Sequence, residues 1–269
     1  MRFNEVLLVS DMDGTLLNPA HEIFEQNIRL IEEFISQGGC FTLATGREWH
    51  ALGEYAPILP LTLPLILVNG AQIFDPESKL VIDQTLLPAV AQKMLLEIAD
   101  NYPELGLIAV TDEGALIMRQ PADPEVMPDF YKDYPIRRGM SEFPEKTYKI
   151  LFVGSLEQLQ LPKNRIVNEF GEHLSSTCSY PTLLDIMAAG VSKGSALSRL
   201  KQQLQTMCQE SKKIIAVGDQ ENDLEMFKTA DYAYAMGQAS DIVKSAANDV
   251  LPPNDEPFMS ALLNKISRL

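Results

Sequence analysis

Basic residues are scarce in this chain, cysteines are few, and no long apolar run occurs. Lysine and arginine together number 22 against 37 aspartates and glutamates, which leaves a formal net charge of −15. Such a field repels nucleic acid and anionic membrane, so neither is expected as a standing partner. An anionic ligand would have to be drawn in by a local cation. No apolar stretch reaches the roughly 20 residues of a membrane-spanning helix, and no basic segment followed by an apolar one reads as a secretory leader. Cys40, Cys178 and Cys208 are odd in number and widely spaced. They exclude a disulfide framework and show no metal-ligand spacing, and they read as reduced thiols of a cytoplasmic protein. His21 and His173 offer no ligand pattern. Internal repeats, low-complexity tracts and coiled-coil heptads are also missing.

What is present is enough to build a core. The chain has 269 residues, 46% of them hydrophobic, which allows one large domain or two ordinary ones. Apolar runs at 6–9, 41–44 and 65–68 each end in a small or polar turn. Between the first two, residues 21–38 carry Ile23, Ile28, Ile31 and Ile35 near helical spacing, and Gly38-Gly39 then stops the helix. Strand, helix, strand at this spacing predicts a βαβ unit and a parallel sheet. The same grammar returns late, with helices over 194–207 and 222–228, strands over 214–217 and 232–236, and closing helices over 241–247 and 258–266. The middle differs. Short strands at 107–110 and 115–118 flank a tight turn at Asp112-Glu113-Gly114, which predicts antiparallel pairing. A further strand is predicted over 149–153 and a helix over 164–170. The expected fold is α/β, a Rossmann-like three-layer core with a central parallel sheet, formed by 1–85 and 188–269. An α+β unit, 86–187, is inserted in it.

Four clusters fall at predicted strand ends or helix starts. Asp11 and Asp13 end the first strand; residues two apart on an extended chain point the same way, so both can face one point. Thr45 and Gly46 end the second strand. Lys193 opens a late helix. Asp219, Asn222 and Asp223 follow the strand at 214–217. Taken singly, each is an ordinary turn, cap or surface residue. In an open α/β sheet, however, all four would gather at the carboxyl ends of the strands, where ligands bind. Their chemistries complement one another. Carboxylates hold a small divalent cation, a lysine supplies fixed positive charge, and a hydroxyl with backbone N–H groups donates to anionic oxygens. Together they suit a phosphoryl group and its metal.

The strings Asp11-Met12-Asp13-Gly14-Thr15, Ala44-Thr45-Gly46-Arg47, Gly190-Val191-Ser192-Lys193-Gly194 and Gly218-Asp219-Gln220-Glu221-Asn222-Asp223 resemble, in order, those of the haloacid dehalogenase superfamily. The resemblance is greatest to its Cof-type phosphatases, which carry an α/β cap between the second and third motifs. Asn69-Gly70-Ala71 also resembles a family segment. Gln220 stands where a small residue is common. The resemblance implies a Mg2+-dependent phosphatase acting on a small phosphorylated metabolite, a sugar phosphate or a phosphorylated cofactor. It implies Asp11 as nucleophile and Asp13 as general acid and base, the latter in a partly desolvated setting. It implies metal ligation by Asp11, Asp219 and the Asp13 carbonyl, and phosphate contacts from Met12, Thr45, Gly46, Lys193 and Asn222. Asp223 would orient Lys193 or a water on the metal. Transfer of the phosphoryl group to a second substrate, as in a phosphomutase or phosphotransferase, and non-catalytic binding of a phosphorylated ligand are the alternatives. Arg47 reads equally as a substrate or cap contact or as a structural ion pair. Leaving-group contacts are expected from the insert; Tyr131, Tyr134, Arg137 and Arg138 in its Pro-rich loop could reach the site, but each reads more readily as part of a solvated loop.

Overall fold

Every residue of strand β1 (Val6–Ser10) is buried, as an apolar strand must be when both faces of its sheet are covered. The computed structural model describes all residues except 1, 54, 133, 137–142 and 209–211, so Arg137 and Arg138 lie outside the described residues. The chain divides into two units: Met1–Asp83 with Ser192–Leu269, and Gln84–Val191.

The first unit begins with β1, α1 (Glu25–Ser36), β2 (Cys40–Leu43), β3 (Leu65–Leu67) and β4 (Gln72–Asp75), and β5 (Leu80–Gln84) runs to its boundary. The second unit holds α2 (Ala89–Asn101), β6 (Gly106–Thr111), β7 (Gly114–Arg119), β8 (Thr147–Val153), α3 (Leu156–Phe170), β9 (Leu174–Tyr180) and β10 (Leu183–Ala188). The chain then returns to the first unit with α4 (Lys193–Cys208), β11 (Lys213–Gly218), α5 (Leu224–Thr229), β12 (Tyr232–Ala235), α6 (Asp241–Ala246), β13 (Asp249–Val250) and α7 (Met259–Ile266).

The main sheet of the first unit runs β13-β12-β11-β1-β2, with each neighbouring pair parallel. A parallel bridge from Ala44 to Ile66 carries it on to β3. From β1 the chain moves one way to β2; from β11 it moves the other way to β12. Right-handed crossovers then place the connecting helices on opposite faces. On one face Leu7, Val9, Ile214, Ala216, Ala233 and Ala235 form a core with Ala196, Leu197 and Leu200 of α4 and Met226 and Phe227 of α5. Alternate residues Leu8, Ile215 and Val217 are equally buried and point to the other face. The reversal of direction at β1 is a topological switch point, and the strand ends around it form the crevice of such sheets.

In the second unit the sheet order is β7-β6-β8-β10-β9, antiparallel throughout. Leu107, Ala109, Ile150, Phe152, Leu184 and Ile186 pack with Leu95 and Ile98 of α2 and Leu159 and Ile166 of α3. The sequence shows β6, β7 and β8 but not β9 or β10. β9 is rich in Ser and Thr, and β10 carries the fully buried Asp185, paired with Lys149 at 2.6 Å, so neither reads as an apolar strand. Helix α3 also starts earlier than expected. Pro162 lies inside it, and a capping box upstream closes the first turn: the Gln158 N–H donates to Ser155 Oγ and the Ser155 N–H to Gln158 Oε1.

Two local features of the first unit bear on the site. Ser192 and Ser195 exchange backbone-to-hydroxyl bonds at 3.0 Å, which fixes the start of α4 and with it Lys193. After β3, Val68, Asn69 and Gly70 all have positive φ, at 52°, 54° and 97°. A β-branched residue there is strained. Two bonds hold the strain in place, from the Val68 N–H to Arg47 O at 2.9 Å and from the Asn69 N–H to Thr45 O at 3.0 Å. A Cβ on Gly70 would fall 2.1 Å from Ser192 O. Gly70→Ala should therefore lower stability by about 2–4 kcal/mol, combining strain and overlap. Gly53→Ala, whose added Cβ meets nothing nearer than 3.4 Å, should cost about 1 kcal/mol. Chemical unfolding of the two variants checks the contrast.

Candidate active site

Register decides which loops meet. Ser10 of β1 pairs with Leu43 of β2 on one side and with Val217 of β11 on the other. The three strands thus end level, and Asp11, Ala44-Thr45 and Gly218-Asp219 leave them side by side. The Asp11 N–H extends the ladder to Val217 O at 2.9 Å, and the Ala44 N–H does the same to Ser10 O.

Lys193 is fully buried, and its Nζ donates to Asp11 Oδ1 at 2.6 Å and to Asp223 Oδ1 at 2.7 Å. Burial alone would push its ammonium down. The two carboxylates outweigh that and hold it above its ordinary range. The other Asp223 oxygen accepts the N–H groups of Asp219 at 2.8 Å and Gln220 at 3.1 Å. Both Asp223 oxygens are therefore engaged in holding Lys193 and the loop. Asp219 accepts from the Thr15 hydroxyl at 3.2 Å and from Gln220 Nε2 at 3.3 Å. Oxygens of Asp11, Asp219 and Asp223 lie within 4.8 Å of one another. Burial first, then the charge of Asp223, pushes the Asp219 carboxyl up to about 7. Burial likewise carries Asp11 well above the carboxylate range; Lys193 opposes this, and Asp223 and Asp219 add to it.

Three buried carboxylates against one ammonium leave two negative charges without a counter-charge. All-oxygen donors carrying that excess fit a hard divalent cation. With Asp223 committed elsewhere, Asp11 and Asp219 are the carboxylates that could hold it. Close packing enforces the cluster: a Cβ on Gly14 would meet Asp219 Oδ2 at 2.3 Å, and one on Gly218 would meet Asp223 Oδ2 at 2.3 Å.

Asp13 stands apart from this buried cluster. Its side chain is about one-third exposed, and Arg47 holds it in a two-pronged ion pair, Nε to Oδ2 at 2.8 Å and Nη2 to Oδ1 at 2.7 Å. Arg47 thus takes the ion-pair option left open above. Met12 is buried, and its carbonyl accepts the Leu17 N–H at 2.9 Å, closing a wide turn in which Gly14 takes φ 76°. Thr45 is buried, and its hydroxyl oxygen accepts the Arg47 N–H at 3.1 Å. Asn222 Nδ2 donates to Asn69 Oδ1 at 3.1 Å, and the Asn69 N–H donates to Thr45 O at 3.0 Å. Asn69 therefore ties the Thr45-Gly46 loop to the Asp219–Asp223 loop. Sequence reasoning quoted Asn69 without giving it this place, although an Asn-Gly pair at a strand end marks it. Gln238, whose Nε2 donates to Gly14 O, and Asn254, whose Nδ2 donates to Leu17 O at 2.8 Å, brace the Asp13 turn. Neither carries a signal in the sequence.

Residues 8–259 match the family model of the haloacid dehalogenase-like hydrolases. The chain is 27% identical over 261 residues to the pyridoxal phosphate phosphatase YbhA of Escherichia coli, covering 92% of this chain and 93% of that protein. It is 28% identical over 255 residues to the 5-amino-6-(5-phospho-D-ribitylamino)uracil phosphatase YcsE of Bacillus subtilis, covering 93% and 91%. Among solved structures, a haloacid dehalogenase-like hydrolase from Bacteroides thetaiotaomicron superposes with a TM-score of 0.78 at 26% identity, covering 97% of this chain and 98% of that one. An all-parallel sheet whose switch point gathers Asp11, Lys193, Asp219 and Asp223, in a chain matched by the family model over nearly its whole length, places this protein in the haloacid dehalogenase-like hydrolase family, in its Cof-type phosphatase branch.

Proposed function

We propose that this protein hydrolyses small phosphomonoesters, sugar phosphates or phosphorylated cofactors, through a phosphoryl group carried on Asp11. The observation that carries the reading is the buried Lys193 ammonium bridging Asp11 and Asp223 with Asp219 beside them. A single fixed cation among carboxylates at strand ends suits a phosphate dianion accompanied by a metal. The names of the two enzymes compared above support a phosphorylated metabolite as substrate.

In this reading Asp11 and Asp219, with the Asp13 carbonyl, would hold Mg2+, and Asp223 keeps Lys193 in place. Bound there, the ion would supply positive charge against the phosphoryl oxygens and the carboxylate excess. Lys193, the Met12 and Gly46 backbone, Asn222 and the Thr45 hydroxyl, which still has a proton to give, hold the remaining phosphoryl oxygens. A carboxylate oxygen of Asp11 bonds to phosphorus as the ester P–O bond breaks, and the Asp13 carboxyl gives its proton to the departing alkoxide. In the second half, water attacks phosphorus, the bond to Asp11 breaks, and Asp13 takes the water proton. Orthophosphate leaves, and both carboxyls regain their starting states. Choice of leaving group is assigned to the inserted segment, 86–187, on the strength of the family resemblance.

Asp11→Asn conserves shape but removes the nucleophile, so phosphate release should fall by roughly three orders of magnitude or more. Retained turnover in a folded variant would sink the covalent route. The metal assignment has a readout that needs no turnover. An Asp219 carboxyl raised to about 7 in the folded protein, against an ordinary value of 3.8, favours folding when protonated. That contribution is present below about pH 4 and is lost as pH rises through 7. Mg2+ stabilises the ionised form, so the gain in Tm on adding Mg2+ should be larger at pH 8 than at pH 5.5. Thermal unfolding with Mg2+ or with chelator at the two pH values tests this, and Asp219→Asn should flatten the difference.

A further inference from the structure

We infer that Arg47 is a positioning residue for Asp13, fixing its carboxylate as the base of the second half-reaction; this rests on the function proposed above. The Asp13 turn is braced through its backbone, by Leu17 N–H to Met12 O and by Gln238 Nε2 to Gly14 O. Neither contact sets where the side chain points. Asp13 is also too exposed for packing to hold its carboxylate. The two-pronged bond from Arg47 supplies that constraint.

Arg47 is itself held on every side. Its backbone N–H donates to Thr45 Oγ1 at 3.1 Å, and its carbonyl accepts the Val68 N–H at 2.9 Å. Its third prong, Nη1, donates to Ala51 O at 2.9 Å. The guanidinium carbon lies 5.2 Å from the centre of the Tyr55 ring, which is anchored in turn by a bond from its hydroxyl to His21 O at 2.8 Å. A planar fork so fixed offers the carboxylate one orientation. Once Asp13 has given its proton to the departing alkoxide, both its oxygens are free to accept the fork, and the fork then aims the base that must take a proton from water. Arg47 therefore serves the breakdown of the phosphorylated Asp11 more than its formation.

The consequence is a kinetic signature. With 4-nitrophenyl phosphate the leaving group departs without help from an acid, so the first half-reaction proceeds unaided. In Arg47→Ala the second half should become limiting. We expect kcat to fall by roughly tenfold or more, kcat/KM to stay within about threefold, and a rapid burst of nitrophenolate approaching the enzyme concentration. Arg47→Lys, which keeps the charge and loses the fork, should show the same pattern, less pronounced, and it carries the test if the alanine variant does not fold. A fall in kcat/KM accompanied by weaker inhibition by orthophosphate would overturn the inference, because Arg47 would then bind the phosphoryl group directly. Unchanged kinetics in both variants would overturn it too, leaving the pair purely structural. Asp13→Asn separates this inference from its foundation: if that variant keeps wild-type kcat, the role given to Asp13 fails whatever Arg47 does.

Discussion

The buried Lys193 ammonium, bonded to Asp11 at 2.6 Å and to Asp223 at 2.7 Å, is the interaction on which the rest of the core unit depends. An ammonium with no exposure is tolerated only where partners repay its lost hydration. Those partners come from chain segments far apart: Asp11 from the end of β1, Asp223 from the loop after β11, and Lys193 from the first residue of α4. The bonds therefore specify how three elements meet. Removing either carboxylate would leave the lysine underpaired in a dry site, and removing the lysine would leave carboxylates crowded together. Truncating any of the three damages fold and chemistry at once, whereas an amide in place of the Asp11 carboxylate keeps an oxygen that accepts from the Lys193 ammonium.

The loops around this cluster are shaped by the same demand for close approach. Gly14 and Gly218 lack side chains where Asp219 and Asp223 press against them, and Gly70 lacks one where Ser192 passes. The strained Val68-Asn69 backbone binds Arg47 and Thr45 through its N–H groups. The strain thus sits between the loop that would handle phosphoryl oxygens and the start of the helix carrying Lys193. Asn69 extends this linkage through its side chain to Asn222. A shift of the Thr45-Gly46 loop would have to break bonds in two neighbouring segments, which gives the site the rigidity that electrostatic stabilisation of phosphoryl transfer requires.

Much of this was legible in the sequence because strand ends announce themselves. Apolar runs that stop at Asp11, Thr45 and Gly218 fixed the parallel sheet and the residues at its carboxyl edge. The pairing of Arg47 with Asp13 was not legible: the two are 34 residues apart, and no local rule says which way a guanidinium turns. The braces from Gln238 and Asn254 to the Asp13 turn escape notice for a similar reason, since an exposed loop amide looks the same whether it bonds water or backbone. In the inserted unit, the Lys149–Asp185 pair places charge in the middle of two buried strands and hides β10 from any search for apolar runs. Pro162 hides the first turns of α3, which a capping box starts and the buried face of Leu159, Pro162 and Ile166 holds against the core.

Charge explains why such a site belongs on so acidic a protein. With a net −15 the molecule as a whole repels a phosphate dianion. Asp11, Asp219 and Asp223 against Lys193 deepen that repulsion locally by two charges. The Asp13–Arg47 pair is neutral and changes nothing. A divalent cation would bring the cluster to neutrality, and only then would an incoming phosphoryl group meet positive charge without a carboxylate excess behind it. The raised proton affinity of Asp11 and Asp219 is the same tension seen without the cation. A site built this way would favour an ion and a phosphoester arriving together over either alone. The acidic surface would then discourage long-lived association with polyanions, whose other charges find no counterpart beyond the strand ends.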